Sequence, residues 1–216
     1  MLAAPQDDWP QPLVQTGFAW HDDDDPIYGS DPELHTFIAS GTPPILFTLG
    51  TGVSQRPGAF FERSLQAVKQ LGQRALFLLG PDAARAKQLT GRSDQFFVAG
   101  YAPYANVFPY SAVVVHQGGI GTTAQALRAG RPMLVVPFGF DQPDNAERVR
   151  KLGTGLSLPI EKYVPETAAT MLAELLENPA YSSKAASVSK QVKLEDGAEK
   201  AAAAIEQIAA ANLQLG

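Results

Sequence analysis

Residues 116–142 carry a histidine, a glycine turn, paired threonines and an Asp-Gln pair in one run, HQGGIGTTAQALRAGRPMLVVPFGFDQ. An apolar run, 112–115, leads into His116. Gly118, Gly119 and Gly121 follow, then Thr122 and Thr123, then a helical stretch and a second apolar run. A strand that ends in glycines and opens a helix bares backbone N–H groups at the positive end of the helix dipole, which makes an anion site. His116, the two threonine hydroxyls and the downstream Asp141 and Gln142 add polar contacts around that point. The chemistry this suits is binding of a phosphate-bearing ligand with a polyhydroxylated group attached.

Each of these residues also has a plainer reading. A histidine at a strand end is commonly hydrogen-bonded to backbone. Gly118, Gly119 and Gly121 are accounted for as turn residues that need a positive φ or close backbone approach. Thr122 is the candidate N-cap of the helix that follows, and capping alone would justify it. Asp141 and Gln142 would suit a solvated loop. Other chemistries lack their residues. No G-x-G-x-x-G follows the first strand and no Walker lysine motif is present. There is no Gly-x-Ser-x-Gly elbow. With 3 histidines and no cysteine, thiolate sites and disulfides are excluded and a zinc cluster is not expected. No metal site is expected.

The elements that must position this run are short and apolar. Stretches 45–49, 75–79, 96–99, 112–115 and 133–136 read as buried strands, with 155–158 a weaker sixth. Phe61, Leu65, Val68 and Leu71 recur at helical spacing, and 82–89, 121–129 and 143–152 read as helices between later strands. Helices at 166–177, 180–192 and 197–211 form the tail. In the last of these Ala201, Ala204, Ile205, Ile208 and Ala209 make an apolar stripe, expected to pack onto the domain or to cross to another one. Continuously apolar strands alternating with helices imply a parallel sheet covered on both faces. The fold class is therefore α/β, a doubly wound, Rossmann-like parallel sheet, in which ligands lie beyond the carboxyl ends of the strands. Gly50-Thr51-Gly52, Gly100-Tyr101, His116-Gln117-Gly118 and the 137–142 segment all follow strands and should share one rim.

Residues 1–43 lack helical or strand periodicity and are rich in Pro, Asp and Gly. With the acidic run 22–25 they read as a linker or N-terminal extension, and the domain proper as 44–216. The Pro- and Asp-rich stretch after Met1 reads as a boundary inside a longer protein. The 216 residues are 45% hydrophobic, enough to fill one core, and carry a net charge of −5. That balance argues against nucleic acid as a partner. Neither a spanning apolar run nor a signal-like start is present, so the expectation is a soluble, cytoplasmic chain with no membrane association.

The 101–142 segment resembles the donor-binding signature of UDP-glycosyltransferases of the GT-B fold, in their bacterial natural-product and sterol glucosyltransferase branch. Tyr101-Ala102-Pro103 matches its aromatic-Ala-Pro opening. His116-Gln117-Gly118-Gly119-Ile120-Gly121-Thr122-Thr123 matches His-x-Gly-Gly-x-Gly-Thr-Thr. Ala129-Gly130-Arg131-Pro132 matches Ala-Gly-x-Pro, and Asp141-Gln142 with Asn145-Ala146 matches Asp-Gln-x-x-Asn-Ala. The resemblance implies the C-terminal, donor-binding half of a GT-B enzyme that moves a hexose from a UDP-sugar to an acceptor hydroxyl with inversion and without metal or other cofactor. Tyr101 would stack on uracil and the Ala102 backbone would bond its edge. His116, the glycine N–H groups and Thr122 would take the diphosphate, and Asp141 and Gln142 the sugar hydroxyls. A packed loop aromatic is the alternative for Tyr101.

Two positions depart from the family pattern. Gln125 stands where many relatives have a Glu that holds the ribose; Gln can accept a bond but lacks the charge, which leaves ribose affinity and the choice of nucleotide open. Tyr104 stands where plant relatives have Gln. The family's catalytic base is a histidine of the N-terminal domain, and no such domain is legible here; His21 and His35 fall in the linker. No catalytic residue is therefore assigned, and the chain alone is expected to be inactive, requiring an N-terminal acceptor domain or a partner subunit. Two alternatives stand beside this reading. One is a non-catalytic sugar-nucleotide-binding subunit of a split GT-B glycosyltransferase. The other is a UDP-sugar epimerase of the same fold, which would need cleft carboxylates.

Overall fold

Apolar strands need cover on both faces, and the sheet supplies a place for it. In a computed structural model of the chain, β1 (Ile45–Thr48), β2 (Ala75–Leu78), β3 (Phe96–Ala99), β4 (Val113–His116), β5 (Met133–Val135) and β6 (Gly155–Ser157) form one sheet. Its order is β3-β2-β1-β4-β5-β6, and every pairing is parallel. The structure describes residues 2, 5–10, 13–20, 31–50, 53, 58–80, 89 and 93–213. The helices among them are α1 (Pro32–Ala39), α2 (Phe60–Leu71), α3 (Tyr104–Val107), α4 (Ile120–Ala129), α5 (Gln142–Leu152), α6 (Pro165–Glu177), α7 (Pro179–Val192) and α8 (Gly197–Leu213). His21, the acidic run 22–25, Thr51, Gly52 and residues 82–88 of the expected helix lie outside the described residues.

Alternate strand residues feed two separate cores. Ile45, Phe47, Phe77, Val113 and Val115 meet Phe60, Phe61 and Val68 of α2 and Leu172 and Leu175 of α6. Leu46, Leu76, Val114, Met133 and Val135 meet Leu34 and Phe37 of α1, Leu127 of α4, Val149 of α5 and Val188 of α7. Phe47 and Phe77 stack across β1 and β2 with centroids 5.0 Å apart. Each fully buried side chain of this size contributes roughly 1.5–3 kcal/mol, so both faces hold the strands and the loops above them in place.

Strand and helix boundaries fall within a residue or two of those expected, with three differences. First, two stretches of 1–43 are more than a linker. Residues 32–39 form α1, started by Asp31, whose side chain accepts from the N–H groups of Glu33 and Leu34, and by Pro32 in the first turn. Residues 13–20 lie along the domain, with Phe18 and Trp20 packed on the core. Second, α3 and the 3-10 turn Phe108–Tyr110 follow β3 where no helix is expected. Third, of the two expectations for the apolar stripe of α8, packing onto the domain is not met: Ile205 is 67% and Ile208 57% exposed.

Candidate functional site

Because every strand runs the same way, the loops after β1, β3, β4 and β5 leave from one edge of the sheet. The chain moves outward from β1 in both directions, to β2 and β3 on one side and to β4, β5 and β6 on the other. The gap above β1 and β4 is thus the topological switch point, where open α/β sheets take their ligands. A cavity of about 660 Å³ opens there, within the size range of small-molecule sites. Gly50 lines it from the end of β1. Gln117, Gly119, Gly121, Thr122 and Gln125 line it from the β4–α4 turn and α4, Tyr104 from α3, and residues 17–20 from the N-terminal segment.

The three glycines of the turn have three different causes. Gly118 has φ +92°, and a Cβ there would sit 2.7 Å from Val135 Cγ1. A Cβ on Gly119 would sit 2.6 Å from Gln117 Nε2. Gly121, in the first turn of α4, would meet nothing within 4 Å. It has no positive φ, so neither strain nor close approach by the protein explains it, which corrects the expectation for that position. Glycine within a helix costs stability, and here its one evident effect is to keep the mouth of the helix open. Thr122 is also reassigned. The N-cap is Gly119, with φ −61° and ψ 142° and no side-chain cap; Thr122 lies in the first turn, buried. Thr123 turns its hydroxyl back to Gly119 O at 3.0 Å. With no side-chain cap, N–H groups of the first turn remain for a ligand.

His116 is fully buried and does not line the cavity. Its Nδ1 accepts from Gly118 N–H at 3.0 Å, so the plain structural role, bracing the turn, is present. That bond assigns the ring proton to Nε2, and Nε2 is buried with no partner. Burial pushes the His116 pKa down to about 3, so the ring is neutral at pH 7 and offers a dipole. Gln117, 4% exposed, has its Oε1 buried without a partner as well. None of the described residues lining the cavity is charged, so an anion there would be held by N–H groups and other dipoles.

The remaining candidates spread along the rim. Tyr101 is 44% exposed and Ala102 buried, both directly after β3 and outside the cavity wall. Tyr104 is fixed by a 3.0 Å hydrogen bond with the Thr48 hydroxyl and by stacking on Phe108 at 4.4 Å; burial raises its pKa. On the other side, Gln142 Oε1 accepts from Phe138 N–H at 2.8 Å and Gly139 N–H at 3.3 Å, which shapes the β5 loop. Asp141 accepts from Asn145 Nδ2 at 2.8 Å, and the same amide donates to Gly118 O at 2.9 Å. The β5 loop is thereby tied to the glycine turn. At its tip Phe140 has φ 59° and is 96% exposed, an uncommon conformation for a bulky residue.

Gly50, Gln117, Tyr104, Phe18 and Trp20 line the cavity without having been assigned a ligand. Gly50 carries a sequence signal, as the glycine that stops the first strand. Phe18 and Trp20 carry none, because their partners are distant in the chain. Phe18 N–H donates to Glu195 Oε2 at 3.0 Å, Trp20 Nε1–H to Glu195 O at 2.7 Å, and Gly197 N–H to Phe18 O at 2.9 Å. The Arg128 guanidinium lies 4.7 Å from the centroid of the Trp20 ring. Among the described residues no group of three or more His, Cys, Asp or Glu side chains is placed to hold a metal ion, and no helix is long and apolar enough to cross a membrane.

This geometry has known counterparts. The family model "Erythromycin biosynthesis protein CIII-like, C-terminal domain" matches residues 65–208. O-mycaminosyltylonolide 6-deoxyallosyltransferase of Streptomyces fradiae is 36% identical over 202 residues, covering 93% of this chain and 46% of that protein. Among solved structures, the glycotransferase of kitacinnamycin superposes with TM-score 0.68 at 26% identity, over 78% of this chain and 43% of that one. Spinosyn rhamnosyltransferase SpnG complexed with thymidine diphosphate gives TM-score 0.63 at 26% identity, over 70% of this chain and 42% of that one. The chain spans less than half the length of each of these relatives.

Proposed function

The chain belongs to the Erythromycin biosynthesis protein CIII-like C-terminal domain family, and from that premise we propose that it is the donor-binding part of a natural-product glycosyltransferase. The donor is a pyrimidine nucleoside diphosphate sugar. The sequence resemblance points to a UDP-hexose. The thymidine diphosphate bound to SpnG and the deoxyallosyl transfer named for the Streptomyces relative favour a thymidine diphosphate deoxyhexose instead. The observation that carries the reading is Gly121: a helix start at the switch point, uncapped by any side chain, with open space where a Cβ would stand.

In this reading the diphosphate sits at the start of α4, with the base toward Tyr101 and Ala102 and the sugar toward Asp141 and Gln142. Gln125 and Thr122 flank the ribose and the phosphates. When an acceptor oxygen attacks the anomeric carbon with inversion, the bond to the diphosphate breaks and the electron pair leaves with it. Fixed N–H dipoles stabilise that developing charge without having to reorganise. The acceptor and its base come from a further domain or a partner subunit. Without them nothing holds and deprotonates the acceptor, so the chain by itself binds donor but does not transfer.

Calorimetry against thymidine, uridine, guanosine and adenosine diphosphates and their sugar esters tests this. The expected result is binding of the pyrimidine members, the thymidine series tightest. Absence of binding by every nucleoside diphosphate would contradict the reading.

A further inference from the structure

Two glycines on separate loops make room for one side chain. Gly50 follows β1 and Gly119 follows β4, and both have negative or extended φ, so neither is explained by its own backbone. A Cβ on Gly50 would lie 2.1 Å, and one on Gly119 2.6 Å, from Gln117 Nε2. The Gln117 amide therefore occupies the space both glycines leave, wedged between the two loops that meet at the switch point. It lines the cavity and is 4% exposed, yet its Oε1 has no hydrogen-bond partner. A buried amide carbonyl without a partner is costly. Two backbone positions are cleared for this side chain at the cavity wall, and the protein supplies no partner for its acceptor, which leaves that partner to come from a ligand.

The missing partner must be a donor. An ionised diphosphate offers only acceptors, so it cannot satisfy Oε1. We propose that Gln117 is a specificity-determining residue of the cavity, its carbonyl accepting a hydrogen bond from a hydroxyl of the sugar nucleotide. This rests on the donor-binding reading above. The hydroxyl can belong to the transferred sugar or to the pentose of the nucleoside. Either way the residue distinguishes donors that carry a hydroxyl at that place from deoxygenated ones.

The test is calorimetry of the chain and its Gln117→Leu and Gln117→Glu variants with a nucleoside diphosphate and with its sugar ester. Loss of one hydrogen bond should weaken binding roughly three- to tenfold in Gln117→Leu. A loss confined to the sugar ester places the hydroxyl on the transferred sugar. An equal loss for both ligands, with Gln117→Glu binding better than Gln117→Leu, places it on the pentose. Unchanged affinity for both ligands in Gln117→Leu overturns the proposal. So does an equal loss in which Gln117→Glu is the weaker binder, since that marks an amide N–H facing phosphate. Gly50→Ala, which displaces the amide with Gln117 intact, should reproduce the Gln117→Leu pattern, and wild-type affinity in that variant also counts against it. If the unaltered chain binds no nucleoside diphosphate, the donor-binding reading itself has failed, a result separate from any of these.

Discussion

Two regions bury polar groups completely and treat them in opposite ways. Behind the sheet, Tyr163 is 0% exposed, but its hydroxyl bonds Ser64 Oγ at 2.8 Å, Ser64 Oγ in turn donates to Phe60 O at 2.7 Å, and Tyr163 O accepts from Arg63 at 2.9 Å. At the switch point, His116 Nε2 and Gln117 Oε1 are as deeply buried and meet nothing. The first region closes its hydrogen bonds within the protein and is architecture. The second leaves a buried donor and a buried acceptor without a partner beside an uncapped helix start, which is the arrangement the proposed donor-binding function expects.

The largest expected effect lies in the closed region. Tyr163→Ala removes a ring stacked on Phe60 at 5.1 Å together with its hydrogen bond, and should cost about 3–5 kcal/mol of unfolding free energy, measured with denaturant. Nucleotide affinity of the folded protein should not change. A matching loss of affinity would break the contrast between the regions.

Next comes His116. Its folded pKa of about 3 lies below the ordinary value near 6.5, so the unfolded chain takes up the proton first as the pH falls. The stabilisation is complete above about pH 6.5 and drains away as the pH drops from there toward 3. Relative to pH 7, the chain should lose about 2 kcal/mol at pH 5 from this residue. Unfolding curves of wild type and His116→Gln at the two pH values isolate it, since other groups titrate in both. Identical acid sensitivity would show that His116 is not held neutral by burial.

Much of this was legible in the sequence, and the exceptions have physical causes. Apolar runs placed the strands and helical spacing most helices, because β2, β3 and β5 are apolar throughout and β1 and β4 up to their last residue; β6, Gly-Leu-Ser, gave the weakest signal, and glycine after β4 marked the turn. Helix α1 was hidden by its short length and two buried side chains, Leu34 and Phe37, although Asp31-Pro32 carries a start signal. The cavity wall at residues 17–20 could not be read, because contacts such as Phe18 to Glu195 span 177 residues. Thr122 looked like a cap because it follows the glycines; the helix instead begins two residues earlier, at Ile120. Gln117 sat at a position the resemblance leaves variable, and its burial shows only once Gly50 and Gly119 are brought together.

The smallest change gives the most direct test. Gly121→Ala adds one methyl group to the first turn of α4, where the protein has nothing within 4 Å to meet it. If the open helix start exists for a diphosphate, folding stability should hold or rise by up to about 1 kcal/mol, while affinity for thymidine or uridine diphosphate falls about tenfold or more as the methyl enters the ligand's space. Stability and affinity measured on the same preparation decide it: wild-type affinity in Gly121→Ala would contradict the account.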